Sequence, residues 1–301
     1  MSSWINHPRY AAVRNRLISK LSATHYRFRK VGPIVFLCGG LDSKPRDRLN
    51  SYLQKNLPAV RVFYAESVWE IIASADHRGA LQMEAQLAAL ADMVIIIVES
   101  PGTFAELGAF SLSDDLRKKL LPIIDEKYRL STNSFIATGP LRWIDAESRF
   151  APTIYVDHVR ILEAVDEIER RIAKIRTKSM HFDDLATSRK HLLFFLCDLV
   201  AIIYPATLDL VAFYLKSMDP KLAAFDSEIH MLLGLGVGMG LLHRKEISGQ
   251  TYFFPAWLTL VERPYHHAPL ADFGTLRAEH VASLLTIPEA ASVLKELGAL
   301  G

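Results

Sequence analysis

Five apolar runs with almost no polar interruption punctuate the first 160 residues: "GPIVFLCGG" at 32–40, "VRVFYAE" at 60–66, "DMVIIIVES" at 92–100, "LLPIID" at 120–125 and "PTIYVD" at 152–157. Short continuous runs closed by glycine, proline or an acid are the pattern of strands buried on both faces. Between them the spacing turns helical, over 44–56 and about 79–91, where Leu81, Ala85, Ala88 and Ala89 share one face. A short amphipathic helix is predicted before the first strand, at 7–22. Strands alternating with helices require right-handed crossovers and predict an α/β fold, a Rossmann-like doubly wound parallel sheet.

The pattern changes after residue 158. "HVRILEAVDEIERRIAKIRTK", 158–178, reads as one charged amphipathic helix. Helical segments follow at 188–203, 206–218 and 226–242. In "LLHRKEISGQTYFFP", 241–255, two runs flank an "SGQ" turn and predict a β-hairpin. Three helices and a hairpin predict a C-terminal winged helix-turn-helix domain over 181–301, behind an α/β domain at 32–178. The longest apolar stretch, 192–215, is interrupted by Asp198, Pro205 and Asp209, so it reads as two core helices and not as a membrane span.

Charge adds an asymmetry that the net value of +2 conceals. Residues 181–301 hold 9 basic and 13 acidic side chains, leaving 26 and 20 for residues 1–180. The first 31 residues carry seven basic groups and no acid. Such an N-terminal arm implies an anionic partner. Because Tyr10, Tyr26 and Phe28 are interleaved with the basic groups, nucleic acid is preferred over an organellar transit peptide, with Arg9, Arg14, Arg16 and Lys20 as the contacts. The alternative is a basic helix face that only keeps the protein soluble. Cys38 and Cys197 sit in apolar contexts without ligand spacing, as buried thiols of a cytoplasmic protein would. His266 and His267 have no third ligand near them in sequence, so no metal is expected. Arg244 and Lys245 on the hairpin lie in a net acidic region, which favours docking over independent duplex binding.

The chemistry concentrates at "MVIIIVESPGTFAELGAF", 93–110. In an open parallel sheet, ligands bind beyond the carboxyl ends of the strands, near the point where strand order reverses. Gly39 and Gly40 after the first strand let the backbone approach a phosphate or ribose, or simply make a tight turn. After the third strand, "ESPGT" feeds a helix N-terminus, where N–H groups favour an anion. Glu106 then has two explanations. Thr103-Phe104-Ala105-Glu106 fits the T-x-x-E capping box, with Thr103 as the cap; alternatively Glu106 is catalytic at the ligand-binding edge. Glu84, on the helix before the third strand, reads as solvated. Trp143 in "GPLRWI" could stack on a base or pack in the core.

"FLCGG" together with "ADMVIIIVESPGTFAELGAF" resembles the nucleoside 2-deoxyribosyltransferase-like group, and "ESPGTFAELGAFS", "KKLLPIIDEKY" and "NSFIATGPLRWI" resemble retron-encoded effector proteins of that type. The resemblance implies a catalytic Glu106 at the anomeric carbon of a nucleotide, with Gly39, Gly40, Ser100, Gly102 and Thr103 binding substrate. It also implies a toxic anti-phage effector controlled by a reverse transcriptase and its branched RNA–DNA (msDNA), in a higher-order assembly. Many deoxyribosyltransferases have an acid where Ser100-Pro101 stands here. The implied reaction is therefore N-glycosidic cleavage of NAD or a related nucleotide as substrate, with no separate cofactor. Two rivals are a non-catalytic nucleotide-sensing DNA-binding regulator and a phosphoribohydrolase, whose fuller glycine motif is absent.

Overall fold

The computed structural model describes residues 4–22, 27–30, 32–66, 68, 80–176, 179–181, 185–256, 265–268 and 271–298. The chain forms two compact units. One is made of Gly32–Trp69 and Asp76–Thr177; the other combines Met1–Val31 and Glu70–Ala75 with Lys178–Gly301.

The first unit is built on a five-stranded parallel sheet of β2 (Ile34–Cys38), β3 (Arg61–Phe63), β4 (Met93–Val98), β5 (Leu120–Ile124) and β6 (Ile154–Tyr155). The order across it is β3-β2-β4-β5-β6. The chain thus moves outward from β2 to β3, then returns to the other side of β2 to lay down β4. Strand order reverses between β2 and β4, which makes their carboxyl ends the expected binding edge. Every residue of β4 is buried, with exposures of 2% or less, as the unbroken "MVIIIV" requires of a strand covered on both faces.

Helices α2 (Lys44–Asn56), α3 (Ala80–Leu90) and α4 (Pro101–Leu112) make the crossovers and connections, followed by the short α5 (Asp114–Arg117) and α6 (Arg142–Glu147). The predicted single helix over 158–178 is two pieces. A 3₁₀ segment, His158–Ala164, is capped by Asp157 and broken at Arg160 (φ −107°, ψ 31°), and α7 (Val165–Ile172) follows. The break lets Ile161, Ile168 and Ile172 all reach the core formed with Leu121, Ile123 and Phe150.

The other unit contains α1 (Pro8–Leu21), α8 (Arg189–Ile203), α9 (Leu208–Met218), α10 (Asp226–Gly238), α11 (Ala271–Leu285) and α12 (Pro288–Glu296). Residues Leu192–Ile203 of α8 are buried all round, including Asp198. That accounts for the long apolar stretch as a core helix. Among the described residues, no helix is long and apolar enough to cross a membrane. The hairpin predicted at 241–255 is present as β8 (Leu242–Ile247) and β9 (Gln250–Pro255). Its turn residues Ser248 and Gly249 both have positive φ, 51° and 76°, the twist that a two-residue hairpin turn needs.

A third sheet has no counterpart in the sequence prediction. β1 (Arg27–Lys30) lies antiparallel between β7 (Ser179–His181) and β10 (Tyr265–Ala268). Residues 1–31, read from the sequence as a basic arm of their own, therefore fold with the C-terminal residues through β1 and through α1. Tyr10 of α1 is fully buried, and its hydroxyl meets both Tyr214 Oη and His280 Nδ1, the latter at 3.0 Å. Burial pushes the His280 imidazole down to about 4, so it stays neutral near pH 7 while its Nε2 faces Tyr204 O at 3.1 Å.

Candidate active site

Two loops meet where strand order reverses. After β2, Gly39 and Gly40 pass under the loop that follows β4. The Gly40 amide donates to Glu99 Oε1 at 2.9 Å, so it ties the loops together. A Cβ at Gly40 would sit 3.3 Å from Ser100 Cβ, and one at Gly39 would sit 2.9 Å from Arg46 Cδ. Glycine thus permits a close approach at both positions, and a side chain would have to displace Arg46 at Gly39 and crowd Ser100 at Gly40. Arg46 itself is buried across Gly39, paired to Glu66 at 2.7 Å and stacked 4.5 Å over the Tyr64 ring.

The turn into α4 corrects the predicted capping box. Ser100, not Thr103, is the N-cap, with Pro101 at the first helical position. Ser100 Oγ accepts from Thr103 N at 3.3 Å, and Thr103 Oγ1 accepts from Ser100 N at 2.9 Å and from Glu99 N at 3.0 Å. Thr103 is 1% exposed, so its hydroxyl shapes the loop from inside. Gly102 is exposed. A side chain there would meet only Ser100 Oγ, at 3.8 Å, so packing does not demand glycine at that position. Glu106 lies three residues beyond the box and caps nothing. The structural explanation that spacing offered for it is removed.

Glu106 points instead toward β2 and α3. Crossover helices run back against the strands, so the first turns of α3 and α4 both lie at the carboxyl edge of the sheet. Glu84 of α3 and Glu106 of α4 meet there and hydrogen-bond to one another, with the Cys38 thiol at the end of β2 bonded to Glu106 as well. Burial first, and then the Glu84 charge, push Glu106 up to about 8. Glu84 is raised for the same first reason. Two carboxyl groups in one partly dry site cannot both ionise easily, so they hold a proton between them. Glu106 Oε2 is buried with no hydrogen-bond partner, an acceptor not used by the fold.

The sequence did not single out Glu84 as part of the site. Its only one-dimensional mark is a lone charged residue on an otherwise uncharged helix, "ALQMEAQLAAL". Cys38 was read as a buried thiol, and it is one, as is Cys197. Trp143 is half-exposed, with the Arg117 guanidinium 5.8 Å from its ring centre, so it is not a core residue. Among the described residues, no group of three His, Cys, Asp or Glu could hold a metal.

The proposed nucleic-acid residues lie in the other unit. Arg9 donates to Thr286 O at 2.8 Å, and Arg16 pairs with Glu279 at 2.8 Å. Arg14 donates to Ile5 O at 2.8 Å and lies 5.9 Å from the Phe213 ring centre. Arg9, Arg16 and Lys20 are exposed, whereas Arg14 is partly buried.

Comparison with known proteins converges on one group. The family described as STM3845 retron effector protein matches residues 42–244. The inferred ribosyltransferase/DNA-binding protein of retron Ec86 from Escherichia coli is 39% identical over 121 residues, 39% of this chain and 39% of that protein. Its counterpart from retron Ec73, also of Escherichia coli, is 34% identical over 148 residues, 46% of each chain. The matched region spans less than half the length of both relatives.

Proposed function

The chain belongs to the STM3845 retron effector protein family, and from that premise we propose that it is a toxic N-glycosidase that cleaves NAD or a related nucleotide in anti-phage defence. The Glu84–Glu106 pair carries the reading. Glycosidic cleavage passes through an oxocarbenium-like centre, which a carboxylate can stabilise or trap covalently. Glu106 holds the proton of the resting pair; its transfer to Glu84 leaves an ionised Glu106 to face the anomeric carbon, and the base departs with the bonding electrons. Glu84 then gives that proton to a departing base that needs one, or to solvent where the base leaves neutral as nicotinamide does, and the resulting carboxylate accepts the proton of the incoming water. A deoxyribosyltransferase-like domain is the module this chemistry fits, and the ribosyltransferase in the relatives' names supports it.

The Gly39, Gly40, Ser100 and Thr103 loops would set the floor of the substrate site, and exposed Gly102 would leave room for the ribose. With Ser100-Pro101 in place of an acid, the active assembly should release a base from NAD or a related nucleotide and exchange deoxyribose between free bases poorly. A nucleotide panel read by mass spectrometry tests this. Robust deoxynucleoside exchange with NAD untouched would refute it.

On the same reading, the helices and hairpin of the C-terminal unit form a winged helix, and a reverse transcriptase with its branched RNA–DNA holds the effector in the cytoplasm. Arg9, Arg16 and Lys20 then face phosphates. Arg14 is assigned a packing role by its bond to Ile5 O and its ring contact. Neutralising the three exposed groups should lower the log–log salt slope of msDNA binding by about 2.7, at roughly 0.9 per phosphate contact. Equal slopes for mutant and wild type would mean that α1 does not touch the nucleic acid.

A further inference from the structure

A cavity opens at the same edge of the sheet, on the side of α4 opposite Glu106. It has a volume of about 320 Å³ and is lined by Phe104, Ile124, Tyr128, Ser134, Leu141 and Tyr155. Ile124 and Tyr155 are the last residues of β5 and β6, so the cavity sits beyond carboxyl ends, where a parallel sheet binds ligands. Part of its wall is the π-helical turn Ala137–Leu141, a distortion frequently found at functional sites. Its chemistry is that of a flat, mostly apolar ligand with a polar edge: three aromatic rings, four aliphatic side chains counting Ile136 and Ala137, and the hydroxyls of Ser131 and Ser134.

Phe104 and Glu106 are two residues apart on α4. At about 100° per residue their side chains leave the helix on nearly opposite faces. Phe104 looks toward β5 and β6, while Glu106 looks toward β2 and α3. A base leaving the anomeric carbon at Glu106 therefore does not occupy this cavity. The volume is at the lower end for ligand pockets, suited to one ring system and not to a whole nucleotide pair. Between the two positions lies the exposed start of α4, where Gly102 presents no side chain.

We propose that this cavity binds the distal base of a dinucleotide whose other ribose is presented to Glu106, so that the substrate is a dinucleotide and not a mononucleotide. The proposal rests on the glycosidase reading for the identity of the reacting ribose, but the cavity can be probed without turnover.

The test uses the full chain carrying Glu106→Gln, which keeps an intact ligand, with NAD and nicotinamide mononucleotide as probes in calorimetric titrations. NAD should bind at least about tenfold more tightly than the mononucleotide, since stacking a base on aromatic side chains commonly contributes that much. Adding Phe104→Ala, or filling the cavity with Ala137→Phe, should remove that advantage and leave mononucleotide affinity unchanged. Equal affinities for the two probes, or an NAD advantage that survives both cavity variants, overturns the proposal. Two variants of opposite volume guard against one misfolding, and circular dichroism reports whether each is folded. Cleavage by the wild-type assembly is measured alongside. If nothing is cleaved but NAD binds through the cavity, the glycosidase reading falls and the base site stands; if both probes are cleaved with equal kcat/KM and neither variant matters, the base site falls and the glycosidase stands.

Discussion

Glu106→Gln should lower base release by about 10³-fold or more, because glutamine keeps the shape of the side chain but can neither trap nor stabilise a cationic sugar. The same variant should be more stable than wild type at alkaline pH. Glu106 is raised from 4.5 to about 8 in the folded protein, chiefly by burial and then by Glu84. Between those values the native state holds a proton that the unfolded chain has released, so wild-type stability falls as pH rises from about 4.5 to about 8. At 1.36 kcal/mol per unit the full effect would be about 5 kcal/mol. Partial solvation and the proton shared with Glu84 reduce it to about 2 kcal/mol. Glutamine does not titrate, so the stability gap between mutant and wild type should widen over that window and level off above it. Thermal denaturation at pH 5, 7 and 9 measures the gap, and base release measured on the same samples gives the second readout. Activity near the wild-type rate would return Glu106 to a purely structural role.

The parallel sheet was legible because each strand is a continuous apolar run, and such runs have one stable home, between two layers of helices. The edge at which the candidate site is placed follows from the same pattern. What the sequence concealed is of two kinds. The first is local: T-x-x-E at 103–106 imitates a capping box, yet the helix is capped three residues earlier, by Ser100. Pro101 is the mark that could have located the start, since proline favours the first helical position. The second kind is tertiary. Glu84 lies 22 residues before Glu106 in the sequence and joins it only because α3 and α4 both run back from the same edge of the sheet. No spacing rule connects two helices on either side of a strand. The antiparallel sheet of β1, β7 and β10 was unreadable for a similar reason. Its strands "RFRK", "SMH" and "YHHA" are short and polar or aromatic, and their partners lie far away in the chain. The basic character of the N-terminal residues was visible; that they complete a sheet and pack Tyr10 against Tyr214 and His280 was not.

Glu84→Gln should shift the pH dependence of base release as well as reduce its rate. Glu106 must lose its proton to act at the anomeric carbon, and the neighbouring Glu84 charge is second only to burial among the causes that oppose this. Removing that charge leaves burial in place, so the ascending limb of the kcat/KM profile should move toward lower pH without reaching the value of a free carboxyl. The maximal rate should fall by about 10²-fold, the range that a positioned general acid or base contributes. The two changes separate the roles. A purely structural Glu84 would lower the amount of folded enzyme and leave the shape of the profile unaltered. A general acid–base partner would lower the plateau and shift the limb together. For NAD, nicotinamide departs as a neutral molecule and needs no proton from the protein. Its release should therefore suffer less than that of a poorer leaving base, whose departure depends on protonation by Glu84. Profiles for the two substrates, recorded on active-site-titrated samples, decide the matter. An unshifted limb with equal losses for both substrates would show that Glu84 does not share a proton with Glu106 during turnover.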